Sequence, residues 1–202
     1  MNEAHEELCS SAGWAEYLAE DALPRVLRDV DLGQHLIEVG PGFGLATDVL
    51  RTKVDRVTTV ELDPAYAAGL VERFGDTNVD VVLGDATALQ FADGTFSSAA
   101  SFTMLHHVPT RELQDSLLAD VARVLKPGGV FIGSDSLDSP GFRAFHEGDT
   151  CNPMVAEELP QRLQASGLRV VKVTAEWIAP EGDTEVYGTV FIAARKPKRA
   201  DE

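Results

Sequence analysis

Residues Leu36–Gly44, with the sequence LIEVGPGFG, decide the fold of this chain. An apolar run typical of a β-strand leads into three alternating glycines, and a helical pattern over residues 46–53 follows. Glycine has no Cβ, so a turn of this kind lets a ligand lie directly against the backbone. The start of the following helix offers free N–H groups, which suit a ligand carboxylate or phosphate.

Strand and helix patterns alternate along the rest of the chain. Strands are predicted at residues 35–39, 56–61, 79–83, 95–102, 130–134, 169–178 and 185–195. Helices are predicted at residues 14–29, with a break at Pro24, and at 46–53, 64–74, 111–125 and 153–166. The alternation predicts a doubly wound α/β domain with a seven-stranded, mainly parallel sheet and helices on both faces. The last two strands, joined by the turn-rich residues 180–183, predict an antiparallel C-terminal strand.

Acidic residues follow at the ends of the next two predicted strands. Glu61 closes the second strand, where a carboxylate can accept hydrogen bonds from both hydroxyls of a ribose. Asp85 follows the third strand and can accept from an adenine amino group, while the N–H of Ala86 donates to a ring nitrogen. The carboxyl ends of parallel strands meet at one edge of the sheet. The loop and the two acids therefore match a carboxylate-bearing amino acid, a ribose and an adenine.

Each acidic residue also has a structural interpretation. Glu38 could order the glycine loop, Glu61 could support a helix N-cap before Pro64, and Asp85 could form a turn. The glycine spacing of two and two also differs from the two and three of the dinucleotide fingerprint, which expects a small residue where Leu45 stands. The order of the three acids at successive strand ends favours an adenosine cofactor other than a nicotinamide dinucleotide.

As a set, these residues resemble the class I S-adenosylmethionine-dependent methyltransferases. The motifs that carry the resemblance are Glu38–Gly44, Val60–Asp63, Gly84–Ala86 and Val124–Gly129, within roughly residues 34–135. The resemblance implies that the cofactor is S-adenosyl-L-methionine and that methyl transfer proceeds by in-line displacement. The implied cofactor-binding residues are Glu38, Gly40, Gly42 and Gly44 on the methionine side, Glu61 on the ribose, and Leu62, Asp85 and Ala86 around the adenine.

On this interpretation the chain is a single methyltransferase domain, residues 1–202, with four parts. Residues 1–30 form an N-terminal helical lid or cap, and 34–135 form the cofactor-binding core. Residues 136–167 form an acceptor-side loop and helix, and 168–195 form the C-terminal hairpin. Trp14 and Tyr17 either close the site or pack the first helix against the core.

Candidate catalytic residues lie after the fourth and fifth strands. His106 and His107 are the best candidates for a general base at the mouth of the cleft, with Asp135 beyond them. The structural alternative is that the two histidines shape the turn before an N-cap at Thr110. A base is required only if the methyl acceptor must lose a proton.

The segment after the fifth strand supports two hypotheses. A divalent metal could bind among the polar residues Asp135, His146, Glu147, Asp149 and Cys151. The spaced Asp/Asp-Asn pattern of magnesium-dependent O-methyltransferases is not evident, so we predict no metal. With Phe142, Phe145 and Met154, the same segment instead favours an apolar acceptor pocket.

Composition bears on the partner. A net charge of −16 opposes binding to a phosphate backbone, and no Asn/Asp-Pro-Pro-Tyr motif follows the fourth strand. We therefore expect a small-molecule acceptor and no nucleic acid. Two alternatives stay open: an rRNA adenine methyltransferase, which Ile37–Gly44, Val60–Asp63 and Gly84–Ala88 also resemble, and a non-catalytic S-adenosylmethionine-binding module.

The cellular setting follows from what the sequence lacks. No apolar run approaches the roughly 20 residues that span a bilayer. The acidic N-terminus does not resemble a signal peptide. We expect a cytoplasmic protein with no membrane partner, for which a homodimer is a possible state.

Overall fold

The computed structural model describes residues 2–178 and 187–198, apart from the side chain of Ile178. Its centre is a seven-stranded sheet with the order β3-β2-β1-β4-β5-β7-β6. The strands are β1 His35–Val39, β2 Arg56–Glu61, β3 Val79–Leu83, β4 Phe96–Phe102, β5 Leu125–Ser136, β6 Arg169–Ile178 and β7 Tyr187–Arg195. Strands β1 to β5 are parallel, and β7 runs antiparallel to both β5 and β6. The predicted fold class is confirmed, whereas the turn at 180–183 lies outside the described residues.

Eight α-helices flank the sheet in the described part of the chain. They are α1 Glu3–Ser10, α2 Ala12–Tyr17, α3 Leu23–Leu27, α4 Leu45–Leu50, α5 Pro64–Phe74, α6 Arg111–Val124, α7 Pro140–Phe145 and α8 Leu159–Ala165. The ends of α5 and α6 follow their sequence signals. Asp63 and Thr110 cap them by accepting hydrogen bonds from first-turn N–H groups.

The N-terminal region differs from its prediction. The helical segment predicted over 14–29, with a break at Pro24, consists of two α-helices, α2 and α3, joined by a π-helical turn at Leu18–Ala22, and α1 precedes them. Pro24 lies in the first turn of α3, directly after the π-helical turn, where the N–H of Leu23 donates to the carbonyl of Leu18. The break predicted at Pro24 is therefore a change of helical register.

The segment after β5 also differs from its prediction. Residues 135–152 were expected to be irregular, but α7 forms there because Ser139 caps Phe142 and Pro140 suits the first turn. The helix expected from residue 153 begins only at Leu159, since Met154 pairs with Leu137 as an isolated parallel bridge. Pairing with β7 likewise extends β5 to Ser136, beyond the expected end at 134.

Apolar side chains cover both faces of the sheet. One cluster joins Ile37 and Val39 to residues of α6 and α8, and the other joins Leu36 to residues of α3, α4 and α5. Successive side chains of β1 thus enter opposite layers, as expected for a central parallel strand. No helix in the described part of the chain is long and apolar enough to cross a membrane.

Candidate active site

A cavity of about 630 Å³ opens at the carboxyl ends of β1 to β4. This volume is within the range of small-molecule sites. Its wall includes the glycine loop, the ends of β2 and β3, the turn after β4, and residues of α1 and α2. In open α/β sheets, ligands bind at the carboxyl ends of the strands, and the predicted motifs of this chain meet at the same edge.

The glycine loop follows β1 with three left-handed residues. Gly40, Gly42 and Gly44 have φ of +66°, +52° and +76°, a region that L side chains rarely adopt. A Cβ on Gly40 would lie 2.0 Å from Cγ of Met104, and one on Gly44 would lie 2.7 Å from the ring of Phe74. A Cβ on Gly42 would meet nothing within 4 Å. Gly40 and Gly44 are thus required for packing, whereas Gly42 keeps the backbone open to the cavity.

Glu38 lies in the wall of this cavity with almost no exposure to solvent. Its Oε2 accepts a hydrogen bond of 2.6 Å from Oγ1 of Thr47, which joins β1 to α4. Burial raises the pKa of the Glu38 carboxyl to about 7, although the Thr47 bond favours the charged form. The residue therefore links the strand before the glycine loop to the helix after it, and also presents a titratable group to the cavity.

Glu61 ends β2 and connects two segments of the cavity wall. Its Oε2 accepts from the N–H of Gly42 at 3.1 Å, and its Oε1 accepts from the N–H of Asp63 at 2.9 Å. The side chain is 7% exposed and lines the cavity. An ionised carboxylate has about four acceptor positions, so hydroxyl donors could still bind beside these two amides.

The residues expected around an adenine lie together at the next part of the wall. Leu62, Asp85 and Ala86 all line the cavity, and Leu62 is 69% exposed. Oδ1 of Asp85 accepts from the N–H and the hydroxyl of Thr87, at 2.8 and 2.7 Å. These two bonds correspond to the turn-forming role that was the alternative to adenine binding for Asp85. They also fix the carboxylate at the cavity edge.

The three predicted catalytic residues lie together in the structure but differ in their access to the cavity. His107 lines the cavity, whereas His106 and Asp135 are buried behind it. Nδ1 of His106 donates to Oδ1 of Asp135 at 2.7 Å, and Oδ2 of Asp135 accepts from the N–H of Leu105 at 2.7 Å. The expectation that both histidines lie at the cleft mouth is therefore wrong for His106, because this bond turns its ring inward.

His107 is poorly suited to take a proton. Burial, followed by the neighbouring His106, His5 and His146, lowers the pKa of His107 to about 2. Burial likewise lowers the pKa of His5 to about 4. These rings are neutral at physiological pH, and a general base is most effective with a pKa near the working pH.

The predicted apolar acceptor pocket is not formed by Phe142, Phe145 and Met154, none of which lines the cavity. Met154 packs in the core instead, held by its bridge to Leu137. Of the same segment, only Asp149 and Thr150 reach the cavity wall. Trp14 also lines the cavity and packs on the core, so both of its predicted roles are compatible with its position.

Several wall residues were not identified from the sequence. Thr103 follows β4 with φ of +50°, which is unusual for a β-branched residue. The rings of Phe43 and Tyr66 meet edge to face with centroids 5.1 Å apart beside the loop. His5 and Cys9 reach the wall from α1. Among these residues, only Phe43 could have been identified from its local sequence, because it lies within the glycine loop. The other residues reach the wall through contacts between distant segments of the chain.

Comparisons with known proteins agree with this geometry. Residues 37–133 match the family described as Methyltransferase domain. A "probable ribosomal RNA small subunit methyltransferase A" from Haloarcula marismortui is 27% identical over 198 residues, covering 89% of this chain and 68% of the relative. The ribosomal RNA small subunit methyltransferase A of Kineococcus radiotolerans is 34% identical over 134 residues, covering 60% of this chain and 43% of the relative.

The extent of these matches varies among the curated relatives. A "probable ribosomal RNA small subunit methyltransferase A" from Halobacterium salinarum is 44% identical over 73 residues. The match covers 34% of this chain and about a quarter (26%) of the relative. For the Methanothermobacter thermautotrophicus relative the share is about a third (34%).

Two solved structures share the fold over nearly the whole chain. A protein solved in complex with the Haloferax volcanii Trm112 methyltransferase activator superposes with a TM-score of 0.76 at 18% identity, covering 96% of this chain and 95% of that one. The N-methyltransferase NodS from Bradyrhizobium japonicum, solved with S-adenosyl-L-homocysteine, gives a TM-score of 0.74 at 16% identity, covering 98% and 94%.

Proposed function

Because this chain carries the domain and strand order of the class I S-adenosylmethionine-dependent methyltransferases, we propose that it transfers a methyl group from S-adenosyl-L-methionine to a small-molecule acceptor. The observation that carries the proposal is the cavity at the ends of β1 to β4. It brings the glycine loop, Glu61 and Asp85 into one wall, in the order of the three parts of that cofactor.

The wall fits the cofactor at each part. Gly42 leaves the backbone open to the methionine carboxylate, and Glu38 faces its ammonium and sulfonium charges. Glu61 accepts from the ribose hydroxyls while its bonds to Gly42 and Asp63 hold the carboxylate in place. Leu62 covers a face of the adenine, and this contact explains an exposed leucine at the cavity edge. Asp85 and Ala86 bind the adenine edge.

Catalysis then depends on alignment. The bound cofactor supplies a methyl group on a positively charged sulfur, so the acceptor lone pair forms the new bond as the carbon–sulfur pair returns to sulfur. The protein holds the acceptor in line, and positioning of this kind can contribute several kcal/mol. His107 borders the acceptor end as a neutral hydrogen-bonding group, since its low pKa argues against base catalysis. His106 and Asp135 support it from behind the wall.

Two observations support a small acceptor. The net charge of −16 opposes the phosphate backbone, and the residues after β4, Thr103-Met104-Leu105-His106, lack the Asn/Asp-Pro-Pro-Tyr grip for a flipped base. The relatives named as rRNA methyltransferases support the second candidate, methylation of ribosomal RNA.

A partition experiment separates these candidates. The protein is incubated with S-adenosylmethionine carrying a labelled methyl group and a cell extract, and the label is counted in the RNA and in the small-molecule fractions. We run the reaction at low and at molar salt, because salt changes any contact with phosphates. Label in the small-molecule fraction that is lost with the Glu61→Gln variant supports the proposal. Label in rRNA supports the second candidate. Cofactor binding without labelled product in any fraction indicates a binding module.

A further inference from the structure

Four of the five histidines of this chain meet at one point. His5 comes from α1, His106 and His107 from the short 3₁₀ turn after β4, and His146 from the end of α7. One nitrogen of each ring lies within 4.8 Å of the other three. The ring centroids are between 4.2 and 6.1 Å apart. The fifth histidine, His35, lies on β1, where it bonds with Thr58.

Two of these rings carry a buried nitrogen without a partner. His106 and His146 are 1% and 2% exposed, and neither Nε2 has a hydrogen-bond partner in the described part of the protein. A buried polar atom without a partner is costly in free energy. The two nitrogens of separate elements therefore indicate a ligand that binds between them.

The opposite nitrogens of the rings are held by acceptors. Nδ1 of His106 donates to Asp135 at 2.7 Å, and Nδ1 of His146 donates to the carbonyl of Phe142 at 2.8 Å. Nδ1 of His5 lies 3.4 Å from Oδ2 of Asp149. Because Nδ1 donates in the first two rings, their Nε2 carries a lone pair. A carboxylate or backbone carbonyl on the far nitrogen is the usual support of a metal-bound histidine.

We propose that His5, His106, His107 and His146 bind one transition-metal ion of the zinc class through their imidazole nitrogens. Imidazole is a preferred ligand of Zn²⁺, Cu²⁺ and Ni²⁺. Four nitrogens at 2.0–2.1 Å from a tetrahedral ion are about 3.4 Å apart, so a small inward movement of the rings completes the site. The site differs from the metal hypothesis of the sequence analysis, whose candidate ligands included His146 but none of the other three histidines.

The ion would connect the N-terminal helices to the rest of the domain. His5 belongs to α1, which supplies part of the cavity wall, while the other three ligands come from the turn after β4 and from the end of α7. Four protein ligands leave no open position, as in structural zinc sites. The ion therefore holds α1 over the cavity and takes no direct part in methyl transfer.

Metal binding is tested on the protein purified without a polyhistidine tag and treated with a chelator. Titration with Zn²⁺ followed by calorimetry should give one site per chain, and Co²⁺ should give the visible absorption of a tetrahedral ion. Zn²⁺ should also raise the unfolding temperature, because a ligand that binds only the folded state stabilises it. Absence of Zn²⁺ and Co²⁺ binding overturns the proposal, whether or not the protein transfers methyl groups.

Variants locate the site. His5→Ala lies on a terminal helix and should leave the core folded, and His146→Ala provides a second test. Each should weaken Zn²⁺ binding by about tenfold or more, and Asp149→Asn by about 10- to 100-fold, since loss of an outer-shell carboxylate has effects of that size. His35→Ala is the matched control and should bind as the wild type does. Equal binding by His5→Ala, His146→Ala and His35→Ala would show that the ion lies elsewhere and refute the assignment.

Discussion

Replacement of Glu38 by glutamine tests whether the cavity contains a buried carboxyl that resists ionisation. The folded state raises the pKa of Glu38 from 4.5 to about 7, chiefly through burial. In the unfolded chain the group loses its proton near pH 4.5, so the folded state binds more protons between these pH values. The contribution of Glu38 to stability is therefore fully present below pH 4.5 and is lost as the pH rises through 7.

The size of the effect follows from the same two pKa values. The difference between 4.5 and about 7, at about 1.4 kcal/mol per pKa unit, corresponds to about 3–4 kcal/mol of unfolding free energy. Glutamine cannot ionise, and its amide oxygen can still accept the Thr47 hydroxyl bond. Glu38→Gln should therefore be more stable than the wild type above pH 7, and this advantage should shrink as the pH falls to 4.5.

Urea unfolding across this pH range measures the effect directly. The exposed Glu72→Gln removes the same charge from the surface of α5 and serves as the control. If the two variants show the same pH dependence relative to the wild type, the buried carboxyl is not the cause and the argument fails.

The same pKa couples Glu38 to the proposed cofactor. A bound cation favours the ionised carboxylate, so binding of S-adenosylmethionine below pH 7 should release a proton from Glu38. Calorimetry in two buffers of different ionisation enthalpy measures this proton. No difference between the wild type and Glu38→Gln would remove Glu38 from the cofactor site.

Four further substitutions concern the cavity wall. Glu61→Gln should weaken S-adenosylmethionine binding tenfold or more in calorimetry, at about 1.4 kcal/mol per decade, whereas unchanged affinity would exclude the ribose role. Gly40→Ala should lower the unfolding free energy by about 2–4 kcal/mol, because the left-handed φ and the contact with the Met104 side chain both cost energy. Gly42→Ala should lose only about 1–2 kcal/mol of stability, since its Cβ meets no atom, and equal losses would refute the packing argument. Thr103→Gly should raise stability by about 1 kcal/mol if φ of +50° is strained, and a loss in urea unfolding would contradict that strain.

The sequence predicted the elements that local patterns specify. The bounds of β1, β2, β3, β6 and α5 match their predictions, because short apolar runs, glycine turns and an Asp-Pro N-cap act within a few residues. The glycine loop, Glu61 and Asp85 each follow a predicted strand, so their order could also be determined from the sequence. Parallel strands bring their carboxyl ends to one edge of the sheet, which places the three together. That order predicted the cavity and an adenosine cofactor, and the family resemblance implied which one.

The tertiary structure decided which side chains meet across that edge. His106 faces inward because Asp135, from another strand, accepts its Nδ1 hydrogen, and no spacing rule relates the two. His5 joins His106, His107 and His146 because Asn2, the N-cap of α1, donates to Asp149 and to the carbonyl of Phe145. Contacts between segments so distant in the chain depend on packing and on burial of polar atoms. The sequence therefore predicted which residues line the cavity at the glycine loop, Glu61 and Asp85, whereas the inward position of His106 and the histidine cluster required the fold.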